Sequence, residues 1–525
     1  MGRKTGLVLL MLSLLLSSFF GCKSPGDLLG KNKEQKVTYE TSSEISIPME
    51  KIRTLNPVIL RDEEAYYLDR LIYQGLFTLN EDLSAKGELA ESWEYEDNGA
   101  AVVISLKKGV RFHDGSAFSA EDVKYSVDAY LSVYDPAAKS VYDAYTSLIQ
   151  SAEVLDDGDI RIRFKNPKNA AIENLTFPIL PKGTAKKAAA VRELKDGFKP
   201  VGTGPYMVDS IEGSKLVTLV GNPYFQGAVP QNTLMVKYIP DKTEAVNLFD
   251  IRQYNMTFLK EGDREALLSG VDAKVYSFSS NEVELIGFNF RNPALKNKKV
   301  RQAIAYALDP KEIIDSCYYG NGVVNDTIYY PGYLGIESEK SANPIDTETA
   351  EALLVESGVE EFSFGLLVNA DNPERLLAAK VIQKSLQNVG ITINLVAVGT
   401  EEYKAKLSAG SFDLYLGGYR IKDTYDLRPL LRTYANPIGY SNILLDSLLD
   451  RMQSGISPEE KKKTFMGIRK VLKQDLPYYC LLYKTYGVVA SKDVQGDARS
   501  TFFDVYKGCE QWTLKYEIVE PQEEQ

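Results

Sequence analysis

The stretch from Phe362 to Val398 constrains the fold more than any other part of this chain. Phe362 to Asn369 (FSFGLLVN) is a short apolar run of strand length. Pro373 to Val389 (PERLLAAKVIQKSLQNV) then spaces its apolar residues as a helix does, with Pro in the first turn, where no N–H is needed. Gly390 stands where a helix cap wants a left-handed residue, and Ile391 to Val398 (ITINLVAV) is a second, alternating, β-branched strand. Strand, helix and strand in that order make a βαβ unit, so the strands are parallel and the crossover right-handed. A helix over Glu401 to Ala409 and a strand over Phe412 to Leu416 extend the winding. Ligands of such sheets lie beyond the carboxyl ends of the strands, which puts the segments after Val368 and after Leu416 at the rim of a site. The N-terminal half is richer in strands. Tyr206 to Ile211 and Lys215 to Val220 flank a Glu212-Gly213-Ser214 turn as a hairpin, and Ser119-Ala-Glu-Asp122 resembles a capping box before a helix through Tyr130.

At 525 residues the chain exceeds a single domain, and 44% apolar with 25% charged residues excludes a disordered or multi-spanning membrane protein. Its 61 Lys and Arg against 72 Asp and Glu leave a net charge of −11, a poor match for nucleic acid. With 1 histidine, a zinc site built on several His is excluded, and a Ser-His-Asp or Cys-His enzyme would rest on His113 alone. His113 lies in Arg111-Phe-His-Asp-Gly115, beside a turn, and reads as structural. Gly202-Thr203-Gly204-Pro205 lacks the third glycine of a phosphate loop and runs into a strand, so it reads as a turn. The adjacent pairs Glu63/Glu64 and Glu401/Glu402 read as solvated. No catalytic motif, cofactor loop or metal-ligand spacing is legible, and no enzyme is expected.

The N-terminus is an address. Arg3 and Lys4 precede an apolar run from Leu7 to Phe20, and Gly21 stands before Cys22. The run is shorter than the ~20 residues that span a bilayer and reads as a signal peptide, residues 1–21. A cysteine directly after the small residue resembles a lipoprotein cleavage site, where the thiol takes a diacylglyceryl group and a further acyl chain such as palmitate. Phe19 and Phe20 depart from the usual residues there, so a plain signal peptide with an incidental Cys22 is the alternative. Residues 22–37 would then be the lipidated cysteine and a polar tether. Whether two of Cys317, Cys480 and Cys509 join is left open by sequence.

Several segments resemble one family, the extracellular solute-binding proteins of the oligopeptide/dipeptide class, family 5, which serve peptide ABC importers. They are Thr54-Leu-Asn-Pro57, Leu71 to Leu79, Glu88 to Trp93, Leu106 to Val123 (LKKGVRFHDGSAFSAEDV), Pro200 to Tyr206 with Asn222-Pro-Tyr-Phe225, and Asn289 to Leu308. Their order holds from about Thr38 to Gly496. The resemblance implies an α/β, two-lobed periplasmic-binding-protein-like fold (type II, cluster C) with an extra subdomain in the first lobe. Lobe I is expected over 38–285, with the extra subdomain at about 81–199; lobe II over 286–488; and 489–525 as a return to lobe I with an acidic tail. It also implies a peptide ligand, ABC permease subunits as partners, a monomer, and a lipid anchor on the extracytoplasmic side of the cell membrane. The alternative keeps the fold and exchanges the ligand for an oligosaccharide, haem or a metal chelate.

The family holds the α-amino group of a bound peptide with a carboxylate in a stretch of the form Gly-Trp-x-x-Asp-Tyr-x-x-Pro. Here the run is Gly418-Tyr-Arg-Ile-Lys-Asp-Thr-Tyr-Asp-Leu427: Tyr419 replaces the Trp, one residue is inserted before Asp423, and the Pro is missing. Asp423 is the first candidate for amine capture and Asp426 the second, with a solvated loop aspartate as the plain alternative. By the same resemblance Asn369 is expected on peptide backbone, Tyr142 or Tyr145 in the cleft wall, Tyr419 beside the ligand, and Arg420 as an anchor for a ligand carboxylate.

Overall fold

The computed structural model describes residues 37–50, 52–132, 140–194, 197–260, 262, 264–338, 345–422 and 424–519. The expected signal peptide, Cys22, the tether short of Val37, and Asp423 lie outside the described residues. Residues 37–40 and 516–519 belong to a small unit of their own, formed by the outer ends of the strands Val37–Ser42 and Thr513–Val519. Residues 41–515 form a second unit, which the following paragraphs describe.

Two long strands organise this unit. Ala273–Phe288 has 16 residues and Tyr478–Ser491 has 14, and they pair antiparallel from Ala273↔Ser491 to Gly287↔Tyr478. Every residue of Tyr478–Ser491 is buried, which suits its apolar, aromatic composition. The far end of that strand takes Met256–Leu259 as its other neighbour, while the far end of Ala273–Phe288 takes Leu414–Arg420. One sheet therefore runs through both halves of the molecule. The two long strands divide the rest of the unit in sequence into the chain between them (289–477) and the chain before and after them, here called its two halves.

The βαβ unit stands as its periodicity dictates. Ser363–Asn369 and Thr392–Val398 are parallel, paired from Ser363↔Thr392 to Asn369↔Val398, with the helix Pro373–Gln387 between them. Asn372 caps that helix through its side chain on the Arg375 N–H, and Gly390 supplies the left-handed turn at φ 82° beyond its end. Thr400–Ala409 follows as a helix, and Leu414–Arg420 as the next strand, parallel to Ser363–Asn369.

That strand corrects the sequence reading, which ended it at Leu416. Gly417 and Gly418 look like breakers, yet both lie inside the strand. A Cβ on Gly417 would meet the Tyr403 hydroxyl at 2.6 Å, and one on Gly418 would collide with the Arg375–Glu284 pair. Close approach, not a turn, explains these glycines. Tyr419 and Arg420 are accordingly strand residues, and the loop starts at Ile421.

In the first half, Tyr206–Glu212 and Leu216–Gly221 form the expected hairpin, joined by Thr233–Tyr238 and, parallel to it, Glu44–Met49. Ala90–Glu96, Ala101–Leu106, Ile160–Phe164 and Ile149–Val154 make a second antiparallel sheet. Ser119 begins the helix Ala120–Leu131, with the Asp122 carboxylate accepting from its N–H and its hydroxyl at 2.8 Å each. Cys317, Cys480 and Cys509 are buried free thiols, so no disulfide joins any two of them.

His113 ties two sequence blocks together. The Gly202 N–H donates to its Nδ1 at 3.2 Å, which leaves the proton on Nε2 to donate to the Gly204 carbonyl at 3.2 Å. A Cβ on Gly204 would lie 2.5 Å from the Leu71 carbonyl, so this loop packs directly on the helix Glu63–Ile72. Burial pushes the His113 pKa down to about 4, although the Gly204 carbonyl and Asp114 both oppose that shift. The unfolded chain therefore binds this proton more readily, and stability supplied by the neutral ring is lost as pH falls from 6.5 towards 4. His113→Gln removes that titration. Urea melts should show the wild-type advantage over the variant shrinking by about 2–3 kcal/mol between pH 7.5 and 4.5. A constant difference across that range would rule out the buried neutral ring.

Candidate ligand-binding cleft

The strand Leu414–Arg420 ends at a cavity of about 540 Å³. One wall comes from the first half: Arg61, Glu63, Tyr66 and Tyr67, around the start of the helix Glu63–Ile72, with Val141 and Tyr145. Arg420, Ile421 and Lys422 line it from the end of the strand, together with Asn281, Phe502 and Phe503. A neighbouring cavity of about 470 Å³ shares Val141 and Lys422 with it, and the helix residues Asp143 and Thr146 line that space together with Lys165 and Arg192. The composition is that of a small-solute site, an aromatic floor with a few charged groups converging on it.

Position explains the geometry. Asn281 lies in the first crossing strand where its pairing with the second shifts register, between Ser279 and Val283. Its Nδ2 donates to the Ile421 carbonyl, at 2.5 Å, and its own carbonyl accepts from the Ile421 N–H, which fixes the loop after the strand. Arg420 donates from Nε to Glu282 at 2.8 Å and stands 3.5 Å from Glu63. Burial alone would raise the Glu63 pKa, but Lys260, Arg420 and the Tyr67 hydroxyl outweigh it and hold the carboxyl below its usual range. The same balance holds for Glu282, where burial is outweighed by Arg420, Tyr486 and Lys484. Glu63 and Glu64 are thus not the solvated pair that their adjacency suggests: Glu63 joins the two halves through Arg420, and Glu64 pairs with Lys242. Arg420 is 52% exposed, so this bridge contributes little to stability.

The structure sorts the other candidates. Tyr145 lines the cavity, whereas Tyr142 is 0% exposed, its hydroxyl reaching Asp69 at 3.4 Å and its ring against Tyr66 and Tyr130. Asn369 closes the turn after its strand, accepting from the Asp371 N–H at 3.0 Å and donating to the Thr400 hydroxyl at 3.2 Å. Asp426 is taken up by Arg428, whose Nε and Nη2 bind its two oxygens at 2.9 and 2.7 Å. Arg428 also reaches the Lys168 carbonyl and the Asn169 side chain, so this pair fastens one half of the molecule to the other. Tyr419 shares a 2.9 Å hydrogen bond with the Tyr415 hydroxyl. Arg420 stands in the cavity wall with its charge already shared between Glu282 and Glu63. Sequence reasoning missed Arg61, Tyr66, Lys422, Phe502 and Phe503, which come from three separate segments that only the fold assembles.

A cavity at the ends of sheet strands, walled by both halves of a molecule joined by two crossing strands, defines a two-lobed solute-binding protein. The family model described as bacterial extracellular solute-binding proteins, family 5 Middle, matches residues 84–441, and the chain belongs to that family. It is 27% identical to the oligopeptide-binding protein AppA of Bacillus subtilis, over 98% of this chain and 99% of that one. It is 25% identical to the heme-binding protein A of Haemophilus influenzae, over 80% of this chain and 83% of that one. Among solved structures, the unliganded open form of the murein tripeptide-binding protein MppA aligns with a TM-score of 0.77 at 15% identity, covering 91% of this chain and 99% of that one. HbpA2 of Haemophilus parasuis aligns with a TM-score of 0.76 at 20% identity, covering 91% of this chain and 100% of that one. The first three of these are named as binding proteins. No helix among the described residues is long and apolar enough to cross a membrane.

Proposed function

We propose that this chain is the substrate-binding lipoprotein of an ABC importer, capturing extracellular peptides between its lobes and delivering them to the membrane permease. The observation that carries the reading is the cavity at the end of Leu414–Arg420, walled by both halves and floored by aromatic side chains. Such a floor accepts varied side chains, while polar groups at the walls fix a peptide's ends. The full-length relationship to a protein named for oligopeptide binding supports the same ligand class.

In this reading lobe I (38–285, then 489–525) and lobe II (286–488) part at the crossing strands and close over ligand as a monomer. Asp423 captures the peptide's α-ammonium. Calorimetric titration with peptides of two to nine residues should give one site per chain. No binding by any of them would contradict the reading.

Cys22 carries the lipid and holds the protein on the extracytoplasmic face of the cell membrane. Wild type should therefore partition into detergent and Cys22→Ser should not; equal partitioning would contradict the anchor. The second reading, a non-peptide solute such as an oligosaccharide, haem or a metal chelate, draws on the relative named for haem and on the rebuilt Asp423 loop.

A further inference from the structure

The charge in the cleft runs against the charge of the chain. The protein as a whole is acidic, with a net charge of −11. Yet the described residues lining the two neighbouring cavities include five cations, Arg61, Arg420, Lys422, Lys165 and Arg192, and only two carboxylates, Glu63 and Asp143. Counting the adjacent Asp423 as well still leaves cations in excess.

The pairing within this set is uneven. Arg420 is shared by Glu282 and Glu63, and Arg192 stands 3.3 Å from Asp143. Lys165 donates to the Ser147 carbonyl at 2.8 Å, a neutral partner that leaves its charge uncompensated. Arg61 and Lys422 are exposed in the cavity wall, and among the described residues neither has a carboxylate partner. They come from two separate segments of the chain. Arg61 is in the loop just before the helix Glu63–Ile72, and Lys422 is two residues past the strand Leu414–Arg420. A cleft with low-dielectric aromatic walls focuses the field of such unpaired charges on whatever enters.

We propose that the cleft selects acidic peptides, those whose carboxylates outnumber their amines, with Arg61 and Lys422 in the lining of one cavity gripping a ligand carboxylate and Lys165 holding the neighbouring space positive. The inference rests on the reading of this cleft as a peptide site. It adds to amine capture at Asp423, since a peptide bears one α-ammonium but can bear several carboxylates. A carboxylate brought between two unpaired cations gains charge-assisted hydrogen bonds, whereas an added ligand ammonium meets like charge.

The test is titration calorimetry on the full mature protein with three tripeptides of matched shape, Glu-Ala-Glu, Gln-Ala-Gln and Lys-Ala-Lys. Wild type should bind the first at least tenfold tighter than the second, and the third weakest. Raising the salt from 50 to 500 mM should weaken Glu-Ala-Glu several-fold more than Gln-Ala-Gln. In the Arg61→Met/Lys422→Met variant the ratio of the two affinities should fall below threefold. The salt series on wild type carries the test should that variant fold poorly. Equal binding of the three tripeptides, or a preference for Lys-Ala-Lys, overturns this inference and leaves the peptide reading standing. If none of the three binds and no other peptide does either, both fall together.

Discussion

Replacing Glu284 by leucine is expected to cost about 3–5 kcal/mol of folding stability, because it takes from the buried Arg375 the carboxylate that grips it. Glu284 lies in the first crossing strand with its side chain 1% exposed. The Arg375 guanidinium grips both carboxylate oxygens, Nε and Nη2 each donating at 2.8 Å, and Lys484 of the second crossing strand stands 4.0 Å away. Burial would lower the Arg375 pKa, but Glu284 outweighs it and raises it instead. After the substitution, Arg375 and Lys484 would face each other without Glu284 between them, while Glu374 stays 3.3 Å from Lys484. Arg375→Met alone should be milder, because Lys484 remains for Glu284. The double variant Glu284→Leu/Arg375→Met should recover a large part of the loss, since an apolar pair of similar volume pays no desolvation. Urea melts of the four proteins give the coupling directly. Strictly additive losses would mean that the pair does not act as a unit.

Asp423→Ala is expected to weaken peptide binding by about 2–5 kcal/mol, because the α-ammonium would then be enclosed without a counter-charge. The fold should survive, for the strand Leu414–Arg420 ends before Asp423 in sequence. The loss should depend on the amine. An N-acetylated peptide should bind wild type poorly and lose little more in the variant. If free and acetylated forms of one peptide bind wild type equally, amine capture is wrong, and the insertion before Asp423 marks a loop rebuilt for another ligand.

The parallel unit was readable because its apolar periods are long and its caps conform: Asn372 before Pro373, Gly390 after the helix. The end of the next strand was not. Gly417 and Gly418 are chosen by Tyr403, Arg375 and Glu284, which arrive from other segments, and no local pattern records that. The same limit governs the cleft. Glu63 looks solvated until a helix from the first half meets Arg420 from the second.

Many of the 33 tyrosines sit in the core with their hydroxyls satisfied, as where Tyr425 and Tyr483 meet at 2.6 Å and Tyr483 donates to the Ile328 carbonyl. Tyr142 belongs with these, and Tyr145, one helical turn away, faces the cavity. Spacing could nominate the pair but not separate its members. The arginine on Asp426 was equally invisible, since a carboxylate two residues from a guanidinium reads the same whether it waits for ligand or braces a loop.

The central claim is that the cleft holds a peptide. Mass spectrometry of the small molecules released when freshly purified protein is denatured tests it most directly. The account predicts one or more peptides at near-stoichiometric amounts, enriched in Asp and Glu relative to the growth medium. An oligosaccharide, haem or a metal chelate recovered in their place, at the same stoichiometry, would contradict it.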